Sequence, residues 1–189
     1  MARIVAKAWL TLDCVFDGTK MEEWFTPYHT DARAKEIIRT VSESDAFLYG
    51  RNTYEMLAPY WSSLENNEMG IAAKLNSAPK YVVTTTLSKL EWQHSTIISD
   101  DVVQTIARLK TQYPNQILID GSGTLVRSLM NTSLIDEYRL LLHPIVLGGG
   151  ERYFRDGQKE NLRLLTVEHL DAGVLLLRYV PEAAAEVRP

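Results

Sequence analysis

The chain has 189 residues, a hydrophobic fraction of 46%, a charged fraction of 23% and a formal net charge of −4. That length suits one domain with a real core, and an acidic balance without Lys- or Arg-rich runs argues against nucleic acid as the main partner. The lone cysteine, Cys14, excludes an internal disulfide framework and no apolar run reaches the roughly 20 residues of a membrane span, so the sequence reads as a soluble, cytoplasmic protein with no membrane partner.

Residues 3–16 read as a first strand. Ile4, Ala6, Ala8, Leu10 and Leu12 share one face, and Val5, Trp9 and Val15 make the other apolar, which places the strand inside a sheet. Asp17-Gly18-Thr19 ends it in a turn. Residues 21–30 are irregular and aromatic. Trp24, Tyr28 and His29 suit either a loop packed on the core or a pocket wall for a flat heteroaromatic ligand. Thr30 or Asp31 caps a helix with the stripe Ala34, Ile37, Ile38 and Val41, leaving Lys35, Glu36 and Arg39 to water.

Residues 46–49 form a second strand running into Gly50-Arg51-Asn52-Thr53-Tyr54-Glu55, where Asn52 and Glu55 have the spacing of a capping box. Arg51, beside that helix start, suits either a bidentate phosphate contact or a surface salt bridge. Residues 61–77 are weakly helical. Residues 80–83 are a third strand followed by Thr84-Thr85-Thr86, and residues 96–98 a fourth. Ser99-Asp100-Asp101 then caps a helix with the stripe Val102, Val103, Ile106 and Leu109.

Residues 117–120 are a short buried strand that turns at Gly121-Ser122-Gly123-Thr124 into a helix carrying Leu125, Val126, Leu129 and Met130. Alternation of strand and helix to about residue 130 predicts a largely parallel sheet with right-handed crossovers. Gly50, Thr84 and Gly121 all fall at strand carboxyl ends, where such sheets bind ligands. Helix starts there aim unpaired N–H groups at an anion, and phosphate is the natural candidate. A tight structural turn is the competing reading of each. The last third changes character. Residues 139–146 form a strand in which His143-Pro144 suggests an edge or bulge, and residues 163–170 and 174–180 pair as a hairpin across Asp171-Ala172-Gly173. Residues 1–180 read as one domain, with 181–189 as a frayed tail. His29, His94, His143 and His169 are scattered without ligand spacing, so no metal site is expected.

Four blocks, taken in order, carry a resemblance: Leu48-Tyr49-Gly50-Arg51-Asn52-Thr53-Tyr54-Glu55; Lys80-Tyr81-Val82-Val83-Thr84-Thr85; Asp120-Gly121-Ser122-Gly123-Thr124-Leu125; and the run from Asp136-Glu137 to Leu147-Gly148-Gly149. Together they resemble the dihydrofolate-reductase-like family. The nearest branch is that of the reductase domain of bifunctional riboflavin-biosynthesis deaminase-reductases and its stand-alone members. The resemblance implies an α/β fold of three layers, with a mostly parallel central sheet flanked by helices and an antiparallel C-terminal hairpin. It also implies a reductase that takes hydride from NADPH and reduces a small flat heterocycle such as a pterin or aminopyrimidine.

By the same resemblance, Gly50, Arg51, Asn52 and Thr53 start the helix that meets the cofactor phosphates. Thr84 and Thr85 lie near the adenosine 2′-phosphate, although many relatives carry an arginine in place of Thr85, and Arg51 is the substitute charge. Gly121, Ser122, Gly123 and Thr124 cradle the pyrophosphate, with Ser122 where dihydrofolate reductases have a second glycine. Trp9 and Phe16 form the shelf under the nicotinamide, and Trp24, Tyr28 and His29 border the substrate. The buried carboxylate of dihydrofolate reductases has its nearest match in Asp31, the expected catalytic residue, whose alternative is a plain helix-start role. A homodimer is expected; the apolar residues 140–146 and 175–180 suit either its interface or the interior of the chain. With no deaminase segment ahead of it, the chain is expected to be the reductase part alone. The alternatives are a non-catalytic nucleotide- or pterin-binding module and a flavin- or deazaflavin-binding protein of the same fold.

Overall fold

Strands apolar on both faces have to be covered on both sides, and the chain alternates strands with amphipathic helices to do so. The computed structural model describes residues 1–182. In chain order the elements are β1 (Arg3–Thr11), α1 (Met21–Trp24), α2 (Asp31–Ser42), β2 (Ser44–Gly50), α3 (Arg51–Trp61), α4 (Ala72–Ser77), β3 (Lys80–Val83), β4 (Ser95–Ile98), α5 (Val102–Gln112), β5 (Gln116–Asp120), α6 (Gly123–Leu129), β6 (Glu137–His143), β7 (Leu162–Leu170) and β8 (Val174–Pro181).

The strands form one eight-stranded sheet in the order β4-β3-β2-β5-β1-β6-β8-β7. From β4 to β6 all neighbours are parallel, and β8 then runs antiparallel to both β6 and β7. This is the expected three-layer architecture with its C-terminal hairpin. Even-numbered residues of β1 face α5 and α6, so Ile4, Ala6, Ala8 and Leu10 join Ile106, Leu109 and Leu125 in one core. The opposite face joins Val5, Phe47, Tyr49 and Leu118 to residues of α2, α3 and α4 in a second. Each buried Val, Leu, Ile or Phe among them contributes about 1.5–3 kcal/mol.

Several sequence-based expectations need correction. β1 stops at Thr11 because Cys14, at φ 62°, folds the chain back; Val15 forms only an isolated bridge to Arg152, and Leu12 is exposed. Residues 21–28, read as irregular, contain α1 and a 3₁₀ turn. Glu36, assigned to water, is buried because Arg39 Nε and Thr40 Oγ1 each donate to its carboxylate at 2.8 Å. Asn52 is not a cap: Gly50 is the N-cap of α3, and Glu55 accepts from Arg51 Nε at 3.0 Å instead. β6 is interior and ends at His143, so Pro144 follows the strand rather than bulging it. Leu140, Leu141 and Leu176 are buried within this chain, which removes them as a dimer surface. β8 extends to Pro181, and the expected tail from residue 183 onward lies outside the described residues.

The amino ends of the central strands are tied by charge. Glu137 on β6 is 1% exposed and accepts from Arg139 Nε at 2.8 Å, Arg178 Nε at 2.7 Å and Arg3 Nη1 at 3.1 Å. Arg139 reaches on to Thr40 on α2 and Gln116 on β5. Burial alone pushes the Glu137 carboxyl up, but the hydrogen bonds from Arg178 and Arg139 outweigh it and hold it below 4.5. A depressed carboxylate stabilises the fold above its unfolded pKa, and that contribution is lost as pH falls through the folded value. Glu137→Gln should therefore cost about 3–5 kcal/mol near neutrality by taking the buried carboxylate from the buried Arg139 and the partly buried Arg178. It should also flatten the acid-side fall in melting temperature, checked by thermal unfolding from about pH 3 to pH 7.

Candidate active site

The site begins where two strands part. Lys7 pairs with Asp120 as the last rung of the β1–β5 ladder, and Gly121 N closes it by donating to Lys7 O at 2.8 Å. β5 then turns away while β1 continues beside β6 through Thr11. The notch leads into a cavity of about 940 Å³ at the carboxyl ends of β1, β2 and β5, within the roughly 300–1,000 Å³ usual for small-molecule sites.

At one end of the cavity two helix starts are locked together. Gly50 N donates to Ser122 Oγ at 3.0 Å, and Ser122 N donates to Thr53 Oγ1 at 3.1 Å. Ser122, left-handed at φ 53°, is the N-cap of α6, and neither α3 nor α6 receives a side-chain cap. Their first-turn amides therefore lack intrahelical partners and lie side by side on the cavity wall, a favourable setting for phosphate. A Cβ on Gly123 would lie 2.5 Å from Phe16 Cζ, so this turn needs a glycine for the aromatic ring to lie against it. Arg51 stands at the rim, with Nε on Glu55 and Nη1 on Thr86 Oγ1 at 3.0 Å each.

The notch itself holds unpaired donors. Lys7 is 1% exposed; its Nζ lies 3.3 Å from Asp120 Oδ1 and 4.8 Å from the Trp9 ring centre, yet makes no hydrogen bond. Trp9 Nε1 is also buried, and neither donor has a hydrogen-bond partner among the described residues. Buried donors are normally satisfied, so two orphans on one cavity wall point to acceptors on a ligand. Tyr49 lines the same wall, and burial, reinforced by the Asp120 charge, pushes its phenol far up, so it stays protonated. Phe25 covers one side of the notch, stacked on Trp9 at 4.0 Å and 23°.

Behind Phe25 lies a polar cluster. Arg33 is fully buried with its guanidinium carbon 4.0 Å from the Phe25 ring centre, and burial lowers it to about 10. It bonds Phe25 O, His29 and His143. Burial first, and then the Arg33 charge, lower His143. A neutral ring fits its contacts, Nδ1 donating to Leu10 O and Nε2 accepting from Arg33.

Most of the residues expected at the site meet here. Trp9, Phe16, Gly50, Arg51, Asn52 and Thr53 line the cavity, as do Gly121, Ser122, Gly123 and Thr124. Trp24 and His29 line it too. Tyr28 does not; its ring packs on His143, 5.7 Å between centroids. Thr84 is buried next to the corner, its hydroxyl accepting from Thr86 N and Leu87 N, and Thr85 is exposed; neither lines the cavity, and Thr86 is the threonine that meets Arg51. Asp31 is exposed at the start of α2, outside the cavity. Sequence reading missed Lys7 and Asp120. The available signal was one charge, Lys7, inside an otherwise apolar strand.

Comparison with known proteins places this geometry. Residues 2–176 match the RibD C-terminal domain. The protein YyaP of Bacillus subtilis is 27% identical over 180 residues, 94% of each chain. YwjB of the same organism is 29% identical over 136 residues, covering 70% of this chain and 71% of that one. Among solved structures, a protein of Shewanella sp. PV-4 described as a riboflavin-biosynthesis protein superposes with a TM-score of 0.74 at 20% identity, covering 97% of this chain and all of that one. A pyrimidine reductase-like protein of Corynebacterium diphtheriae gives 0.68 at 12% identity, covering 96% and 92%. The deaminase/5-amino-6-(5-phosphoribosylamino)uracil reductase of Thermotoga maritima gives 0.68 at 17%, covering 95% of this chain and 56% of that two-activity protein. With its fold shared across these neighbours and a domain match over almost its whole length, the chain belongs to the RibD C-terminal domain family, a family of reductase domains.

Proposed function

We propose that the protein is an NADPH-dependent reductase that delivers hydride to a small flat nitrogen heterocycle. The observation that carries this reading is the continuity of one cavity from the paired starts of α3 and α6 to the orphan donors of Lys7 and Trp9. The corner suits the cofactor: first-turn amides of α3 and α6 would hold its pyrophosphate, Arg51 its 2′-phosphate, and Trp9 and Phe16 its nicotinamide. Bound there, NADPH supplies the hydride.

The chain's own groups do the rest. Lys7 Nζ binds an acceptor on the substrate and donates a proton to the atom that gains negative character. Asp120, 3.3 Å away, orients that ammonium. Trp24 and Phe25 exclude water from the notch, which strengthens these charge interactions. Lys7, in contact with the cavity, takes the proton-donor role once expected of Asp31.

Two experiments test this. Titration of NADPH and NADH should give tighter NADPH binding, and Arg51→Ala should weaken NADPH roughly tenfold more than NADH, about 1.4 kcal/mol; equal weakening would remove the 2′-phosphate contact. Lys7→Met should lower turnover of an accepted aminopyrimidine by roughly 100-fold or more. It should leave the melting temperature unchanged or higher, because it removes a buried ammonium that makes no hydrogen bond while its partner Asp120, 28% exposed, keeps contact with water.

The homodimer is proposed on a different strand from the ones first expected. β7 is one of the two sheet edges, and Leu164, Leu165 and Val167 are 45%, 40% and 44% exposed, an apolar edge of the kind that pairs with a second copy. Val167→Asp should shift the protein from dimer to monomer in analytical ultracentrifugation while leaving cofactor affinity intact.

A further inference from the structure

The far end of the cavity differs from the corner. It runs between the sheet and the helices, and its wall there is built by Ile37 and Val41 of α2, Leu57 and Trp61 of α3, and Ile71 and Leu75 at α4. Among the described residues, the charged side chains of the lining are two cations, Lys7 and Arg51, against three carboxylates, Asp17, Asp120 and Glu151. Neither stands in the slot: Lys7 faces Asp120 at the notch, and Arg51, paired with Glu55 at the rim of the corner, is the residue assigned above to the cofactor's 2′-phosphate. The next cation, Arg33, is screened from the cavity by the Phe25 ring.

A phosphate monoester carries about −1.5 to −2 charges at pH 7 and needs charge-assisted donors around its oxygens. The apolar slot offers none among its lining residues, and a charge transferred into such a wall without a partner is strongly disfavoured. An apolar substituent gains there, because its own apolar surface and that of the walls leave water together.

We infer that the substrate, within the reductase reading above, is a neutral planar heterocycle bearing an apolar substituent rather than a phosphorylated sugar. The ring's acceptors meet Lys7 and Trp9 Nε1 at the notch, and the substituent fills the slot between α2, α3 and α4. This separates the chain from a reductase of phosphoribosylated pyrimidines while keeping the same notch chemistry.

The test compares two ligands sharing one ring, 5-amino-6-(benzylamino)uracil and 5-amino-6-(5-phosphoribosylamino)uracil. Each is titrated calorimetrically into the protein saturated with NADP⁺, so that the phosphate corner is occupied. The benzyl compound should bind at least tenfold more tightly. Equal affinity, the reverse order or no binding by either overturns the inference. A second arm uses Met69→Arg, which sets a cation on the lining at a half-exposed position. It should narrow or invert the preference by strengthening the phosphoribosyl ligand, and an unchanged ratio counts against the slot as the substituent's seat. Failure of the reductase reading shows separately, as absence of NADP⁺ binding; the two titrations on the free protein then still decide between the substituents.

Discussion

The site depends on one mismatch in strand length. β1 and β5 share a ladder up to Lys7 and Asp120, and then β1 goes on while β5 turns at Gly121. That parting exposes a strand flank in the middle of the sheet rather than at its edge. It places the last paired residues, a lysine and an aspartate, at the mouth of the opening. Because β5 is inserted between β1 and β2, the helices that follow β2 and β5 start side by side, and their first turns can share one anion. Strand order therefore creates both halves of the cavity at once, as expected where neighbouring strands lead their connections to different places.

Rigidity comes from the other end of the strands. Glu137, buried among Arg3, Arg139 and Arg178, links β1, β6 and β8, and Arg139 extends the network to α2 and β5. A network of this kind is a weak source of net stability compared with an apolar packing of equal volume, but it tolerates little displacement of its members. It fixes the relative height of the strands, and with it the depth of the notch at their far ends.

What the sequence made legible was local. The strand–glycine–helix turns at Gly50 and Gly121 and the hairpin across Asp171-Ala172-Gly173 are set by neighbours in the chain, and the structure contains all three. What stayed hidden was long-range. Lys7 looks like a lone charge in an apolar strand until the end of β5 is known to fall beside it. Glu36 follows a helical period that places it in water, yet Thr40 and Arg39 satisfy it in the interior. Asp31 has the composition of a first-helix carboxylate, but α2 is rotated so that Arg33, Ile37 and Val41 face inward and Asp31 faces out. Periodicity identifies a helix face without saying which neighbour covers it.

The stack of Phe25 on Trp9 has a consequence for selectivity. A flat ligand seeking that indole face must first displace a phenyl ring already lying on it at 4.0 Å. One aromatic contact is then exchanged for another of similar strength, and the exchange is close to neutral. Flatness alone thus confers little advantage on a visitor, and discrimination among planar molecules passes to whichever of them presents acceptors to the two silent donors beneath.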